Sequence, residues 1–270
     1  MMDWKQAASV ALSRPGTVTY RARLVLQNGK FRRIRAESLS RLTGVPAAEA
    51  GQRCREIESD SSFIADVRSF YRAHTRYFPL PTDFMVAPDG NTMFFACVAL
   101  YALVRTTRPE RIVETGGTPG KSSAFILRAL ERNGGGHLWT VDLPPPDSGG
   151  VPISPAGAHG MMPAGRTSGW AIPERLRERH TVVSGDARAK LPPLLESLGG
   201  IDLFIHDSDH SYEHMMWEFE TAYPHLKPGG YMWSDDILGH SAWPDFCRAR
   251  GLTRCDFTGQ GAARVGGAPS

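Results

Sequence analysis

Residues 201–236 read IDLFIHDSDHSYEHMMWEFETAYPHLKPGGYMWSDD, and the alternation inside this stretch decides the fold. Ile201 to His206 is a short apolar run that reads as a strand. Tyr212 to His225 carries apolar residues at helical spacing. It ends at Lys227-Pro228-Gly229-Gly230, where proline cannot continue a helix and glycine accepts a left-handed cap. A second strand, Tyr231 to Ser234, follows. Both strands run directly into acids: Asp207 after the first, Asp235 and Asp236 after the second.

The same alternation extends outward in both directions. Upstream, Asn91 can cap a helix reaching about Arg105. A strand at Arg111–Thr115, a helix at Lys121–Arg132 and a strand at Leu138–Leu143 come next. Then follow a strand at Thr181–Ser184 and a helix at Arg188–Ser197. Downstream, a helix near Ala242–Arg250 precedes short apolar pieces around Phe257 and Val265 that can close a terminal hairpin. Such alternation predicts a doubly wound α/β domain, a parallel sheet with helices on both faces. Ligands of such sheets bind beyond the carboxyl ends of the strands.

Residues 1–90 differ from the rest. Asp3–Leu12 can form a helix. Leu39–Arg55 is broken at Pro46, and Ser61–Tyr71 sets Phe63, Ile64, Val67, Phe70 and Tyr71 on one face. Pro79, Pro81 and Pro88 then interrupt the chain. We therefore expect a helical cap or arm over 1–90 and the α/β domain over 91–270. Residues 144–172, rich in Pro, Gly, Ser and Met, read as a lid loop.

The 270 residues are 41% hydrophobic, enough for one sizeable core, and the net charge is only +3. No long basic block supports nucleic-acid binding, and Arg21 to Arg35 reads as a solvated face. Met93 to Val104 is too short for a bilayer, which needs roughly 20 residues. Without a signal-peptide pattern or a C-x-x-C pair, the four cysteines, Cys54, Cys97, Cys247 and Cys255, read as reduced thiols of a cytoplasmic protein. Whether it forms a homo-oligomer is left open.

The chemistry-bearing residues gather at strand ends. Val113-Glu114-Thr115-Gly116-Gly117-Thr118-Pro119-Gly120 joins a strand to a helix. Its glycines permit close backbone approach to a ligand at a helix N-terminus. In neither frame does it satisfy the G-x-G-x-x-G of dinucleotide sites. Asp142, ending the second strand, can accept bonds from ribose hydroxyls. Asp186 of Gly185-Asp186-Ala187 can serve the nucleoside or cap a helix. Asp207, Asp235 and Asp236 would meet on one rim. Carboxylates so placed raise one another's pKa unless a cation is present, and oxygen ligands suit Mg²⁺. His206, His210 and His214 lie nearby. Trp170, Tyr212 and Trp243 also fall near the rim, where packing is the commoner role.

Over about residues 90–260 the chain resembles class I S-adenosylmethionine (SAM) dependent methyltransferases, in particular a bacterial small-molecule group. The resemblance rests on the acid–glycine turn from Glu114, with Thr118 where a glycine is usual. It also rests on His206-Asp207-Ser208-x-His210, Tyr212-Glu213-His214 and Lys227-Pro228-Gly229-Gly230. It implies a seven-stranded Rossmann-like sheet. It implies SAM held by Glu114, Gly116, Gly117, Gly120, Asp142, Asp186 and Asp207, and Mg²⁺ held by Asp207, Asp235 and Asp236. His210 would be the general base for methylation of a small-molecule hydroxyl, on a natural product or sugar. A metal-independent N- or carboxyl-methyltransferase is the alternative. The D-x-D string Asp207-Ser208-Asp209 also allows a metal-dependent sugar transferase, and a non-catalytic scaffold is a further class.

Overall fold

The computed structural model describes residues 32–73, 92–144, 166–257 and 259–266. The expected helix at 3–12 and most of the expected lid fall outside these residues. The N-terminal arm comprises helices α1 (32–43), α2 (Ala47–Glu58) and α3 (Ser61–Ala73). The break before α2 falls at Pro46, as its sequence demands. After α4 (Thr92–Thr107) the chain alternates through β1 (Arg111–Thr115), α5 (Lys121–Asn133), β2 (His137–Asp142) and β3 (His180–Ser184). It continues with α6 (Ala187–Leu198), β4 (Ile201–His206), α7 (Tyr212–Ala222) and β5 (Leu226–Ser234). Helix α8 (Ala242–Ala249) and the hairpin β6 (Arg254–Phe257) and β7 (Gln260–Arg264) complete it.

The seven strands form one sheet in the order β3-β2-β1-β4-β5-β7-β6. The first five are parallel, and β7 runs antiparallel to both its neighbours. The order reverses between β1 and β4, so a crevice opens there at the carboxyl edge. Side chains alternate between two cores, as a pleat requires. Ile112, Leu203, Ile205 and Trp233 face α4 and α5, whereas Val113, Phe204 and Met232 face α6, α7 and α8.

The arm shares the first of these cores. Leu39, Leu42, Ile57, Phe63 and Val67 pack in one cluster with residues of α4 and α5. The Phe63 and Phe125 rings meet edge-on, with centroids 4.9 Å apart. Around this contact, Glu56 accepts hydrogen bonds from Tyr101 Oη (2.8 Å), Arg105 Nε (3.0 Å) and Arg132 Nη1 (2.7 Å). Asp60 pairs with Arg128 and Arg132 at 2.7 and 2.8 Å. Arg35 departs from the solvated face expected of it: its side chain is 3% exposed and paired with Glu58. All four cysteines are buried and unpaired. Among the described residues no helix is long and apolar enough to cross a membrane.

Residues 166–172 correct the expected lid at its far end. Trp170, Ala171 and Ile172 are buried in the first core, and Ala171 N donates to Pro119 O at 2.9 Å. The apolar side chains of that segment belong to the interior, so it is part of the wall of the glycine turn.

Burial opposes ionisation of Glu56, but the bonds from Arg132, Tyr101 and Arg105 hold its carboxyl down at about 2, below its ordinary 4.5. A depressed acid contributes stability above its unfolded pKa and loses it as pH falls through its folded one. The Glu56 contribution should therefore disappear between about pH 4.5 and 2. Glu56→Gln should lower stability at pH 7 by about 1–2 kcal/mol and flatten that acid limb, read by thermal unfolding across pH.

Candidate functional site

The carboxyl edge is built by hydrogen bonds that continue one residue past each strand. Gly116 N donates to Val141 O (2.9 Å), Asp207 N to Thr115 O (3.0 Å), Asp235 N to His206 O (2.9 Å) and Gly185 N to Asp142 O (2.8 Å). The residues after β1, β3, β4 and β5 are thereby set at fixed positions along one rim.

The glycines of the turn are required by the protein itself. Gly116 has φ +78°, and a Cβ there would lie 1.9 Å from Asp207 O. A Cβ on Gly117 would lie 2.2 Å from Thr140 Cγ2, and one on Gly120 (φ +102°) would lie 2.8 Å from Gly169 Cα. The close approach inferred for a ligand is already made by neighbouring chain segments at all three positions.

Glu114 lies beneath the turn rather than on it. Its fully buried carboxylate accepts from Ser122 Oγ (2.7 Å), Ser123 Oγ (2.6 Å) and Thr140 Oγ1 (3.1 Å), which fastens the first turn of α5 to β1 and β2. Burial raises its pKa against those bonds. Asp142 ends β2 at the same edge: Thr118 Oγ1 (2.7 Å) and Ser168 Oγ (2.6 Å) both donate to its Oδ2, and Leu143 N donates to its Oδ1 (2.8 Å). Asp186 is the N-cap of α6, accepting from Arg188 N at 2.8 Å. That bond occupies one oxygen with its own helix, as the capping reading expected.

Asp207, His210 and Asp235 converge. Each offers one ligand atom, and the three atoms lie within 4.8 Å of one another. His210 Nε2 is 3.7 Å from Asp207 Oδ1 and 3.9 Å from Asp235 Oδ2. It is buried and has no hydrogen-bond partner. Asp236 stands apart from this trio. Its backbone takes φ +48°, its side chain is 69% exposed, and its Oδ2 lies 3.6 Å from the other imidazole nitrogen, Nδ1. The reversal in backbone direction at Asp236 sends consecutive acids to different sides of the ring.

The electrostatics are those of a site with an unmet charge. Desolvation and the neighbouring Asp235 carboxylate push the Asp207 carboxyl well above its ordinary value. Burial and His206 lower His210, while Asp236 and Asp235 oppose that shift. A divalent cation among Asp207, Asp235 and Nε2 would relieve the repulsion and give the orphaned nitrogen a partner. The donor set fits such an ion with a modest contraction, since cis ligands of an octahedral Mg²⁺ stand about 3 Å apart. An imidazole nitrogen admits borderline metals as well as Mg²⁺ or Mn²⁺. Its lone pair cannot both ligate and accept a proton.

Supporting residues escaped the sequence reading. Gln260 on β7 donates through Nε2 to Asp235 Oδ1, and its Oε1 accepts from Trp233 Nε1 at 2.7 Å, so its amide orientation is fixed. His240 Nε2 donates to His210 O (2.7 Å) while its Nδ1 accepts from Ala242 N (3.2 Å). His206 and His214 both bond Glu218, away from the rim. No motif marks Gln260, His240 or Ser168, and Thr118 enters the glycine motif only as a departure from it, because their roles arise from strand pairing and loop crossings. Trp170 and Trp243 are buried packing residues, whereas Tyr212 is exposed.

Residues 113–237, from β1 to just past β5, match the family described as "Methyltransferase domain". The relatives are narrower in kind. The chain is 37% identical over 87 residues to the 8-demethyl-8-alpha-L-rhamnosyl tetracenomycin-C 2'-O-methyltransferase of Streptomyces olivaceus, covering 30% of this chain and 23% of that protein. It is 32% identical over 89 residues to the demethylmacrocin O-methyltransferase of Streptomyces fradiae, covering 32% and 22%. The match thus spans less than a quarter of either relative's length. Among solved structures, the O-methyltransferase TomG from Streptomyces achromogenes, in complex with SAM, aligns at 18% identity and a TM-score of 0.48. That alignment covers 77% of this chain and 91% of that one.

Gly116→Ala should cost at least about 2 kcal/mol, combining positive-φ strain with the clash at Asp207 O. Urea unfolding measures it, and a neutral result would show that the two segments can separate freely.

Proposed function

We propose that this protein transfers the methyl group of SAM to a hydroxyl of a small molecule, a natural product or sugar, assisted by a divalent cation such as Mg²⁺. The observation that carries the reading is the convergence of Asp207, His210 and Asp235 at the carboxyl edge, inside the segment that matches a methyltransferase domain. The two Streptomyces relatives are both O-methyltransferases, which supports oxygen as the acceptor atom.

SAM supplies an already activated methyl group, so the protein's work is alignment and proton removal. Asp142, with Thr118 and Ser168 ordering it, is the proposed ribose partner, and the turn Gly116–Gly120 the wall beside it. Glu114 supports that wall from beneath, and Asp186 shapes the neighbouring β3 end. Asp207 and Asp235 are the proposed cation ligands, and a cation held there lowers the pKa of an acceptor hydroxyl and orients it. Asp236 is better placed to draw the His210 proton to Nδ1 than to join the ligands. Nε2 then keeps its lone pair toward the cluster and accepts the hydroxyl proton.

A cation-independent reading has one observation in its favour: a protonated His210 among three acids would itself offset part of their charge. Burial works against that charge state. Calorimetry with SAM and with NAD tests the donor. Binding of NAD alone would reject the proposal, and Asp142→Ala should weaken SAM binding by ~1–3 kcal/mol. In methylation assays over phenolic and glycosidic acceptors, excess chelator should abolish turnover while SAM binding survives. Full turnover in chelator would establish the cation-independent alternative. His210→Ala should lower kcat by roughly 10²–10⁴-fold with Mn²⁺ affinity retained. A large loss of Mn²⁺ affinity would instead make His210 a ligand.

A further inference from the structure

Beneath the cluster lies a carboxylate that neither the glycine turn nor the rim chemistry uses. Glu218, in the second half of α7, is completely buried. Its Oε2 accepts from Thr115 Oγ1 (2.5 Å) and His206 Nδ1 (2.6 Å). Its Oε1 accepts from Ser208 Oγ (2.7 Å) and His214 Nε2 (2.9 Å). Four donors fill the lone-pair sites that one carboxylate offers. Burial opposes its charge, yet the bonds from His206 and His214 hold its pKa down at about 2, so it is ionised.

The four donors come from four places. Thr115 ends β1 and His206 ends β4, the two strands flanking the crevice. Ser208 lies in the loop that carries Asp207 and His210, and His214 lies in the first turn of α7. A helix needs no such group for packing, and the neighbouring buried positions of α7 are Met215, Phe219 and Ala222. An apolar side chain would avoid the desolvation cost that a buried charge carries. What the carboxylate adds is direction: a saturated network admits one arrangement of its members.

We propose that Glu218 is the positioning residue of this site. Through Ser208 and His206 it fixes the 207–210 loop so that Asp207 and His210 Nε2 converge with Asp235. The loop is clamped from below by Glu218. From the β1 side it is held by Asp207 N on Thr115 O (3.0 Å), and from above by His240 on His210 O (2.7 Å). The inference that this order serves cation binding rests on the cation reading of the function. The inference that Glu218 orders the loop does not.

Ser208→Ala removes the loop's own bond to Glu218 and leaves the other three, so the fold should persist. In the full chain, hydrogen exchange at the 207–210 amides should quicken roughly tenfold. Mn²⁺ affinity should fall at least about tenfold, the usual effect of losing an outer-shell partner. Ser208→Thr, which restores the hydroxyl, should recover both. His214→Ala is the control, because it deletes a bond to the same oxygen without touching the loop. It should lower Tm while loop exchange stays as in the wild type. Unchanged exchange in Ser208→Ala overturns the proposal, as does equal quickening in His214→Ala, which would mean general loosening. Faster exchange with unchanged Mn²⁺ affinity overturns the role toward the cluster. A wild-type chain that binds no Mn²⁺ refutes the cation reading instead, and exchange alone then decides whether Glu218 orders the loop.

Discussion

The segment leaving β1 and the segment leaving β4 cross so closely that no side chain fits between them, and the carboxyl edge is organised around that contact. Gly116 lies against the carbonyl of Asp207, where a Cβ would be 1.9 Å away. One layer below, Thr115 and His206 end the same two strands on a single buried carboxylate, that of Glu218. Sterics above and a saturated polar network below leave the 207–210 loop little freedom. The position of Asp207 relative to Asp235 and His210 follows from it.

This explains why the glycine turn and the acidic rim, far apart in the chain, behave as one construction. The glycines permit the crossing, and Glu114 secures the turn by gathering Ser122, Ser123 and Thr140. Glu114 and the glycines Gly116, Gly117 and Gly120, which the motif assigns to cofactor contact, are thus explained first by packing. The same economy governs the arm: residues 32–73 complete the core over α4 and α5, and the ionic cluster of Glu56, Asp60, Arg105, Arg128 and Arg132 closes its edge.

At the rim, the division between consecutive acids is the chemically informative feature. Asp235 faces Nε2 of His210 and Asp236 faces Nδ1, because the backbone reverses at Asp236. One acid can contribute to a cation while its neighbour sets a tautomer. The converging trio is two carboxylates and an imidazole rather than three carboxylates, and the imidazole stands between Asp235 and Asp236.

The α/β alternation was readable because periodicity is local: apolar runs for strands buried on both faces, an apolar stripe for α7, and Lys227-Pro228-Gly229-Gly230 for its end. The placement of Asp207 and Asp235 at strand ends was readable for the same reason, since parallel strands deliver their carboxyl ends to one edge. The burial of Arg35, the packing of Trp170–Ile172, the separation of Asp235 from Asp236 and the supports Thr118, Ser168, Gln260 and His240 were not. Each depends on which segments approach in space, and β7 alone brings Gln260 to Asp235. Glu218 shows the boundary most plainly. In the chain it is one more acid on an amphipathic helix. Its partners lie 10, 12 and 103 residues away as well as one turn off, and only their convergence makes it the centre of a network. Residue order carries the periodic information, whereas the directions of hydrogen bonds between distant segments exist only once the sheet has formed.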